Sequence, residues 1–354
     1  MNAQFTQHNL IFKQASGTSR GVLTTKETYL LEISENNKKG IGECAIFRGL
    51  SYDDVPDYEE KLTWLCKNIN LDFEVLKKEL LHYPSIIFGL EQALLNLEHG
   101  EDLYFPSDFT DGKDSIKING LIWMGNADFM QSQIEEKLAK GFDCIKLKIG
   151  VDWKSEKEII KKLREKFPKE QLELRVDANG AFSYEEATIV LQELADLGIH
   201  SIEQPIKKSQ VKTKKSQKTD EINSTDYCAP WNEMAKLCAE TPTPIALDEE
   251  LIGIIDFEEK KKLLETIKPQ YIILKPALVG GFSGSDEWIA IAESLGINWW
   301  ITSALESNIG LNAICQYTYT KKNPLPQGLG TGALFTNNFE THLQLEGDQM
   351  WHKK

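Results

Sequence analysis

Hydrophobic and polar positions divide the chain into two regions with different rhythms. In the first 110 residues, three stretches alternate apolar and polar residues and predict strands at 9–13, 22–34 and 40–47. Two further stretches have the helical period, at 58–68 and 85–98. A small polar turn is predicted at 14–20. The first region is therefore predicted to be an α+β unit.

From residue 116 onward, short apolar strands alternate with amphipathic helices. The predicted strands are 116–121, 144–149, 172–177, 201–204, 245–248, 271–275 and 299–303. The helical segments between them include 135–140, 155–167 and 184–197. This alternation predicts a parallel sheet, and a weaker eighth strand near 327–329 favours closure into a β/α barrel. A doubly wound open sheet is the alternative, which is disfavoured because no glycine-rich phosphate loop follows the first strand.

One segment interrupts this rhythm. Residues 207–225 are rich in Lys, Ser and Thr and nearly lack apolar residues. The composition favours a mobile, solvated insertion after the fourth strand. A lid over the substrate is the less favoured interpretation, because the segment carries little that could pack on a ligand.

Two lysines occupy the second predicted barrel strand at a spacing of two. Alternate residues of a strand share a face, so Ile145, Leu147 and Ile149 should point towards the helices. Lys146 and Lys148 then point into the barrel, where a lysine is costly unless it serves a site. An exposed edge strand would also tolerate lysines, but helices are predicted on both sides.

Three successive strands each end in an inward carboxylate. By the same alternation, Asp177, Glu203 and Asp248 face the interior at the carboxyl ends of the third, fourth and fifth strands. Neighbouring strands lie about 4.8 Å apart, so these carboxylates should converge and repel one another unless a cation neutralises them. Oxygen ligands without His or Cys favour Mg²⁺, and Mn²⁺ could substitute for it.

A further lysine ends the sixth strand. Ile272 and Leu274 should face outwards, so Lys275 should face inwards, across the barrel from Lys148. A substrate held on the metal would then have a lysine on each face. Low solvation and neighbouring cations lower a lysine pKa and allow it to act as a base. Pairing of Lys275 with a core carboxylate is the structural alternative.

Composition narrows the classes of function. The 354 residues carry a formal net charge of −14 without a basic cluster, which argues against nucleic-acid binding. The six cysteines show neither a CxxC spacing nor a zinc pattern and are expected to be reduced thiols of a cytoplasmic protein. No signal peptide and no membrane-spanning apolar stretch is predicted. A small-molecule carboxylate is the expected ligand, and the oligomeric state stays open.

These residues, in this order, resemble the enolase superfamily and, within it, the muconate-lactonizing group. The resemblance lies in KLK at 146–148, the three carboxylates and Lys275; the seventh strand ends TSALES at 302–307, without the histidine base of another group. Within the group, the chain is most similar to the o-succinylbenzoate synthase family of menaquinone biosynthesis. That likeness lies in GECA at 42–45, GLS at 49–51, LRVDAN at 174–179, LKP at 274–276 and SALESNIGL at 303–311.

The resemblance implies a fold and a domain arrangement. The fold is α/β, a modified TIM-type (β/α) barrel with an N-terminal α+β capping domain. The capping domain would span 1–110 and carry specificity loops at about 15–20 and 45–52. The barrel would span 111–330, and residues 331–354 would pack back on the capping domain.

The resemblance also implies a mechanism. The enzyme would be a Mg²⁺-dependent lyase that dehydrates 2-succinyl-6-hydroxy-2,4-cyclohexadiene-1-carboxylate. Lys148 would remove the proton beside the ring carboxylate, Lys275 would help to stabilise the enediolate, and the metal ligands would be Asp177, Glu203 and Asp248. Residues expected to contact the substrate or to orient the ligands are Lys146, Asn179, Gln204 and Glu249. Ser303 and Glu306 lie near the mouth, where two roles are open: contact with the substrate, or closure of their own loop.

Other reactions of the same scaffold remain open. Two lysines on opposite faces also suit an N-acylamino acid racemase, and muconate cycloisomerisation is a further alternative. Dipeptide epimerases carry an Asp-x-Asp element near the last strand, where this chain reads GLGTG at 328–332. The alternative from another class is a binding or structural protein that keeps the barrel but has lost catalysis. Such a protein would be expected to have lost some of the five polar residues at the mouth, yet all are present: Lys148, Asp177, Glu203, Asp248 and Lys275.

Overall fold

The computed structural model describes residues 1–18, 21–123, 127–209 and 231–353. The chain begins with an antiparallel sheet of order β1-β2-β3, formed by β1 (Asn2–Thr18), β2 (Gly21–Glu35) and β3 (Lys38–Cys44). Three helices follow: α1 (Tyr58–Asn68), α2 (Phe73–Glu79) and α3 (Pro84–His99). The alternation along β2 buries Leu31 and Ile33 against these helices, which accounts for the core of this unit.

Helix α3 joins this unit to the rest of the molecule. It is buried around most of its circumference and packs on β3 on one side and on the barrel helices on the other. The close approach to β3 depends on glycine, since a Cβ atom on Gly42 would collide with the backbone oxygen of Gly89. The helix is therefore the shared wall between the two units.

The barrel sheet is parallel and consists of seven strands in the order of the chain. The strands are β5 (Gly120–Ile122), β6 (Cys144–Lys148), β7 (Glu173–Asp177), β8 (Ser201–Glu203), β9 (Ile245–Leu247), β10 (Tyr271–Leu274) and β11 (Asn298–Ile301). The surrounding helices are α4 (Ala127–Ala139), α5 (Trp153–Lys166), α6 (Tyr184–Asp196), α7 (Asn232–Glu240), α8 (Phe257–Ile267), α9 (Pro276–Val279), α10 (Gly281–Ser294) and α11 (Asn308–Thr320). The predicted fold class is confirmed.

The eighth position of the ring is a short bridge rather than the predicted strand at 327–329. Gln327 pairs with Ile118, and Gly328 pairs with Thr302, as isolated parallel bridges. The backbone of this segment hydrogen-bonds to both edges of the seven-stranded sheet, through Asn119 N to Gln327 O at 2.9 Å and Gly328 N to Ile301 O at 2.8 Å. The barrel is closed, but by only two residues.

Two predicted boundaries near the first strands were wrong. The predicted strand 116–121 is divided, because β4 (Ile116–Lys117) pairs antiparallel with a C-terminal strand and only β5 enters the barrel. The predicted turn at 14–20 is mostly strand, because the backbone pairing of β1 and β2 continues to Thr18 and Gly21. The predicted insertion at 207–225 lies largely outside the described residues.

The C-terminal segment forms a hairpin of β12 (Leu343–Glu346) and β13 (Gln349–His352), which pairs with β4. Just before it, the ring of Phe335 packs at a tilt against that of Phe12 of β1, at a centroid distance of 4.7 Å. The segment thus contacts both the N-terminal sheet and the strand that leads into the barrel. No helix within the described part of the chain has the length and apolarity needed to cross a membrane.

Candidate active site

The register of the barrel strands places three predicted site residues in one layer. Lys148 pairs with Asp177, and Asp177 pairs with Glu203, at the carboxyl ends of β6, β7 and β8. Asp248 follows β9 directly. Because parallel strands with this register end at the same face, all four side chains meet at the mouth of the barrel.

Lysines neutralise the carboxylates in this layer. Lys146 Nζ lies 2.7 Å from Glu203 Oε2 and 3.3 Å from Asp177 Oδ2, and it is almost completely buried. Lys148 Nζ lies 2.9 Å from Asp177 Oδ2. The alternation that predicted two inward lysines therefore brings both onto the same aspartate.

Lys275 reaches the cluster from the far side. Its Nζ donates a hydrogen bond to Asp248 and lies 3.7 Å from Glu203 Oε1. Lys148 on β6 and Lys275 after β10 thus flank the carboxylates from opposite sides of the ring. A ligand seated on the carboxylates would have one lysine on each face.

Burial and neighbouring charges have opposing effects on the pKa values of these groups. Burial raises the pKa of the Glu203 carboxyl to about 7, and repulsion by Asp177 adds to the effect while Lys146 opposes it. Burial alone would also raise the pKa of Asp177, but Lys148 and Lys146 outweigh it and hold that pKa well below its usual range. Lys275 has a pKa well above its usual range, because Asp248 and Glu203 outweigh its desolvation. Lys275 is therefore a cation at neutral pH.

The three carboxylates fit a hard divalent cation. Asp177, Glu203 and Asp248 are each at most 2% exposed and offer only oxygen donors. Glu203 Oε1 is buried and accepts no hydrogen bond from any described residue. Lys275 Nζ, 3.7 Å away, is too far to donate a hydrogen bond to this oxygen, so Glu203 Oε1 keeps a free position for a ligand. A buried carboxylate oxygen without a hydrogen bond, in a set of oxygen donors, fits a hard divalent cation such as Mg²⁺.

Three of the predicted supporting residues hold this layer in place. Asn179 accepts a hydrogen bond from Lys148 Nζ at 2.7 Å and donates one to Glu249 Oε1 at 3.1 Å. Gln204 Oε1 accepts from the backbone N–H of Asp248 at 3.3 Å. Asn179 and Gln204 both have positive φ, of 44° and 41°, where a strand turns sharply into its loop. Asn179 therefore orients Lys148, and Gln204 orients the loop that carries Asp248.

A cleft of about 810 Å³, including the part open to solvent, lies above this layer. Its lining combines Lys148, Lys275 and Asp177 with residues of the N-terminal unit, Phe47 and Leu50. A concave lining that mixes apolar and charged side chains suits a small organic anion. Both units of the molecule therefore shape the cleft.

The two predicted residues of the seventh loop differ in position. Ser303 lines the cleft and exchanges a hydrogen bond with Thr331 at 2.6 Å. Glu306 is fully buried, is absent from the cleft lining, and accepts from the backbone N–H of Ala304 at 2.7 Å. Of the two roles expected for Glu306, the structure supports closure of its loop.

Sequence reasoning missed several cleft residues. Asn119, Trp123 and Thr331 line the cleft but belong to no repeated motif. Asn119 lies at the break between β4 and β5, which the prediction treated as one strand. The only available signal was the Asn-Gly pair at 119–120, which marks a break in an apolar run.

Glu43 has a structural role that its motif did not reveal. This fully buried carboxylate of β3 accepts hydrogen bonds from Ser307 N at 3.0 Å, Ser307 Oγ at 2.6 Å and Gly310 N at 3.0 Å. These groups form the first turn of α11, where a helix favours a negative charge. Glu43 therefore fastens the N-terminal sheet to the barrel next to the cleft.

Comparisons with known proteins agree with this geometry. Residues 130–221 and 226–349 match the enolase C-terminal domain-like family. An o-succinylbenzoate synthase from Desulfotalea psychrophila is 42% identical over 98% of both chains. The crystal structure of MenC from the same organism superposes with a TM-score of 0.84 at 39% identity, covering 99% of both chains.

A more distant relative is named for a different reaction. An N-succinylamino acid racemase from Thermus thermophilus is 34% identical over 50% of this chain and 40% of its own length. The family match covers more than half of the chain, and the synthase match covers nearly all of it. The chain therefore belongs to the enolase superfamily, and its likeness within that superfamily is to the o-succinylbenzoate synthases.

Proposed function

We propose that this protein is an o-succinylbenzoate synthase. It dehydrates 2-succinyl-6-hydroxy-2,4-cyclohexadiene-1-carboxylate to o-succinylbenzoate, a carbon–oxygen lyase reaction of menaquinone biosynthesis. The observation that carries the proposal is the placement of Lys148 and Lys275 on opposite sides of a buried carboxylate cluster. The 42% identity to a synthase over 98% of the chain selects this reaction among those of the superfamily.

The reaction begins with loss of a proton. Lys148 acts as the base: the neutral form of its amine takes the proton from the ring carbon beside the substrate carboxylate. Asn179 and Asp177 hold the Lys148 Nζ at 2.7 and 2.9 Å, which fixes its direction towards the cleft. Because these contacts hold Lys148 Nζ before the substrate arrives, orientation of the base contributes to catalysis.

The negative charge that develops on the substrate carboxylate is countered from the opposite face. The Lys275 ammonium stays charged, because Asp248 and Glu203 raise its pKa. Mg²⁺ bound by Asp177, Glu203 and Asp248 would supply further positive charge to the same oxygens. The Lys148 proton then passes to the hydroxyl group, which leaves as water as the ring becomes aromatic.

Racemisation of N-acylamino acids is the second candidate. The same two lysines could remove and return a proton on opposite faces, and the Thermus thermophilus racemase supports this reading over half of the chain. In the synthase reaction only one face needs a base. The racemase reaction therefore predicts a chemical role for Lys275 that the dehydration does not require.

Absorbance of the aromatic product tests the proposal. The purified holoenzyme is incubated with Mg²⁺ and the cyclohexadiene substrate, and a matched sample contains EDTA. Fast product formation that EDTA abolishes is the expected result. A folded, metal-loaded protein that forms no product would rule out the dehydratase and direct attention to exchange of α-protons in acylamino acids.

We also infer a cytoplasmic location. Five of the six cysteines lie in the described structure, and each is a free thiol: Cys44, Cys66, Cys144, Cys238 and Cys315. Reduced thiols are typical of cytoplasmic proteins. The binding partner that we propose is the substrate, a small-molecule carboxylate.

A further inference from the structure

A second group of potential metal ligands lies away from the barrel mouth. Asp102 follows α3 in the linker that leads out of the N-terminal unit. His342 immediately precedes β12, and His352 ends β13. The antiparallel register pairs His352 with the neighbour of His342, and Lys353 N donates to His342 O at 2.8 Å, so the hairpin itself brings the two imidazoles together.

The three side chains converge through one nitrogen or oxygen each. His342 Nδ1 lies 2.8 Å and His352 Nε2 lies 3.2 Å from the same oxygen, Asp102 Oδ2. One ligand atom from each residue lies within 4.8 Å of the other two. A tetrahedral ion with bonds of about 2.0–2.2 Å needs ligand atoms roughly 3.3 Å apart, so small side-chain rotations suffice.

Some buried polar atoms of Asp102 and His352 have no hydrogen-bond partner among the described residues. Asp102 Oδ1 and His352 Nδ1 are buried without a hydrogen-bond partner in the described part of the chain. His352 is 0% exposed, so the group is partly withdrawn from water. The side chain of His342 is 45% exposed, which leaves one side open for entry of an ion and for a water as fourth ligand.

The backbone around Asp102 is already fixed. Its carbonyl oxygen accepts hydrogen bonds from Asn312 Nδ2 at 2.9 Å and Gln316 Nε2 at 2.8 Å, both on α11. Asp102 thus joins the linker after α3 to a barrel helix through its backbone carbonyl and to the C-terminal hairpin through its carboxylate. Such anchoring keeps the ligands in place before an ion binds, which favours affinity.

We propose that Asp102, His342 and His352 form a second metal site, which binds a transition-metal ion such as Zn²⁺. Two imidazoles and one carboxylate suit Zn²⁺ far better than Mg²⁺, whose preferred ligands are the oxygens of the barrel mouth. The site is structural: the ion ties the C-terminal hairpin to the linker and to α11. It is independent of the proposed reaction.

Spectroscopy of the cobalt-substituted protein tests this site. The tag-free full-length protein is stripped with EDTA, given excess Mg²⁺ and titrated with Co²⁺. Four- or five-coordinate Co²⁺ with imidazole ligands absorbs visible light much more strongly than six-coordinate Co²⁺ held by oxygen alone. His342→Gln removes one ligand at a half-exposed position, and His99→Gln changes an exposed histidine at the end of α3 as the matched control.

The wild-type protein and the His99→Gln variant should develop one equivalent of the strong visible band, and Zn²⁺ should displace it. Loss of a residue that only hydrogen-bonds to a metal ligand typically weakens metal binding by roughly 10–100-fold. His342→Gln removes a ligand itself, so it should weaken Co²⁺ binding at this site by more than that. Zn²⁺ should raise the melting temperature of the wild type but not of His342→Gln. A weak band alone, or a strong band of equal size in His342→Gln, would overturn the proposal and leave a hydrogen-bonded triad.

Discussion

At the scale of the residue, Lys148 is the group on which the proposed reaction depends. Replacing it with alanine removes the base, so kcat should fall by roughly 10²–10⁴-fold or more. The fold should persist, because Lys146 still neutralises Asp177 at 3.3 Å. Steady-state kinetics with a melting curve check both expectations.

Lys161 offers the matched control, since it is an exposed lysine on α5. Lys161→Ala should leave kcat unchanged. Near-normal turnover in Lys148→Ala would contradict the role assigned to this lysine.

Glu203 tests the metal site separately from the base. Glu203→Gln keeps the shape but removes the charge of a carboxylate whose Oε1 has no hydrogen-bond partner among the described residues. The Mg²⁺ concentration for half-maximal activity should rise at least about tenfold, because one anionic ligand is lost. Activity measured across a Mg²⁺ series gives this value.

Glu173 provides the comparison for Glu203. It begins β7 at the opposite end of the barrel, where it binds Arg175 at 2.6 Å. Glu173→Gln should not change the Mg²⁺ requirement. An equal Mg²⁺ requirement in Glu203→Gln and the wild type would exclude Glu203 as a ligand.

The sequence predicted the charged layer of the site because strand alternation is a local rule. Lys146, Lys148 and Asp177 sit at fixed offsets from buried apolar neighbours, so their direction follows from a few residues. Thr331 and Trp123 reach the cleft through loops, and no local period describes a loop. Their positions depend on how distant segments pack, which a single sequence does not reveal.

At the scale of the element, Glu91 connects two helices and predicts a pH dependence. Its carboxylate on α3 accepts from Phe282 N at 2.5 Å and Ser283 N at 3.2 Å, in the first turn of α10. Burial raises the pKa of this carboxyl to about 7, although the bonds from Ser283 and Phe282 oppose the shift. The folded state therefore holds the proton more tightly than the unfolded chain, whose pKa is about 4.3.

This difference gives the sign of the effect. Between about pH 4.5 and 7 the unfolded chain releases the proton first, so the contribution of Glu91 to stability falls as the pH rises. The slope is at most about 1.4 kcal/mol for each pH unit. The free energy of unfolding of the wild type minus that of Glu91→Gln, from urea titrations, should decrease over this range and level off above pH 7. A difference that stays constant, or increases, would contradict the assignment.

The sequence predicted the strands of the repeated β/α units well, but it failed for the one segment whose residues are divided between two sheets. Strands β6 to β11 each have an apolar run bounded by helices, and their existence followed from that rhythm. The segment 116–121 was also predicted as one strand, yet it is divided between β4 and β5 because the C-terminal hairpin pairs with its first half. That pairing joins residues more than 200 positions apart, which no local pattern indicates.

At the scale of the whole molecule, the cleft needs both units. Leu50 comes from the N-terminal unit but lines the cleft beside Lys148 and Lys275. Leu50→Ala would remove apolar contact with the bound substrate, worth about 1–2 kcal/mol. KM should therefore rise roughly tenfold while the Mg²⁺ requirement stays the same.

The exposed Leu71 on the N-terminal unit is the control for Leu50, since it is 42% exposed. Leu71→Ala should leave KM as in the wild type, measured by the same product assay. An unchanged KM in Leu50→Ala would mean that the N-terminal unit does not contact the substrate.

The most direct test of the whole account compares two reactions in one preparation. The Mg²⁺-loaded enzyme is assayed for dehydration of the cyclohexadiene substrate and for racemisation of an N-succinylamino acid, and kcat/KM is determined for each. The account predicts that dehydration has the higher kcat/KM and that Lys148→Ala abolishes it. A higher kcat/KM for racemisation, or no aromatic product at all, would contradict the proposed function while leaving the membership of the superfamily in place.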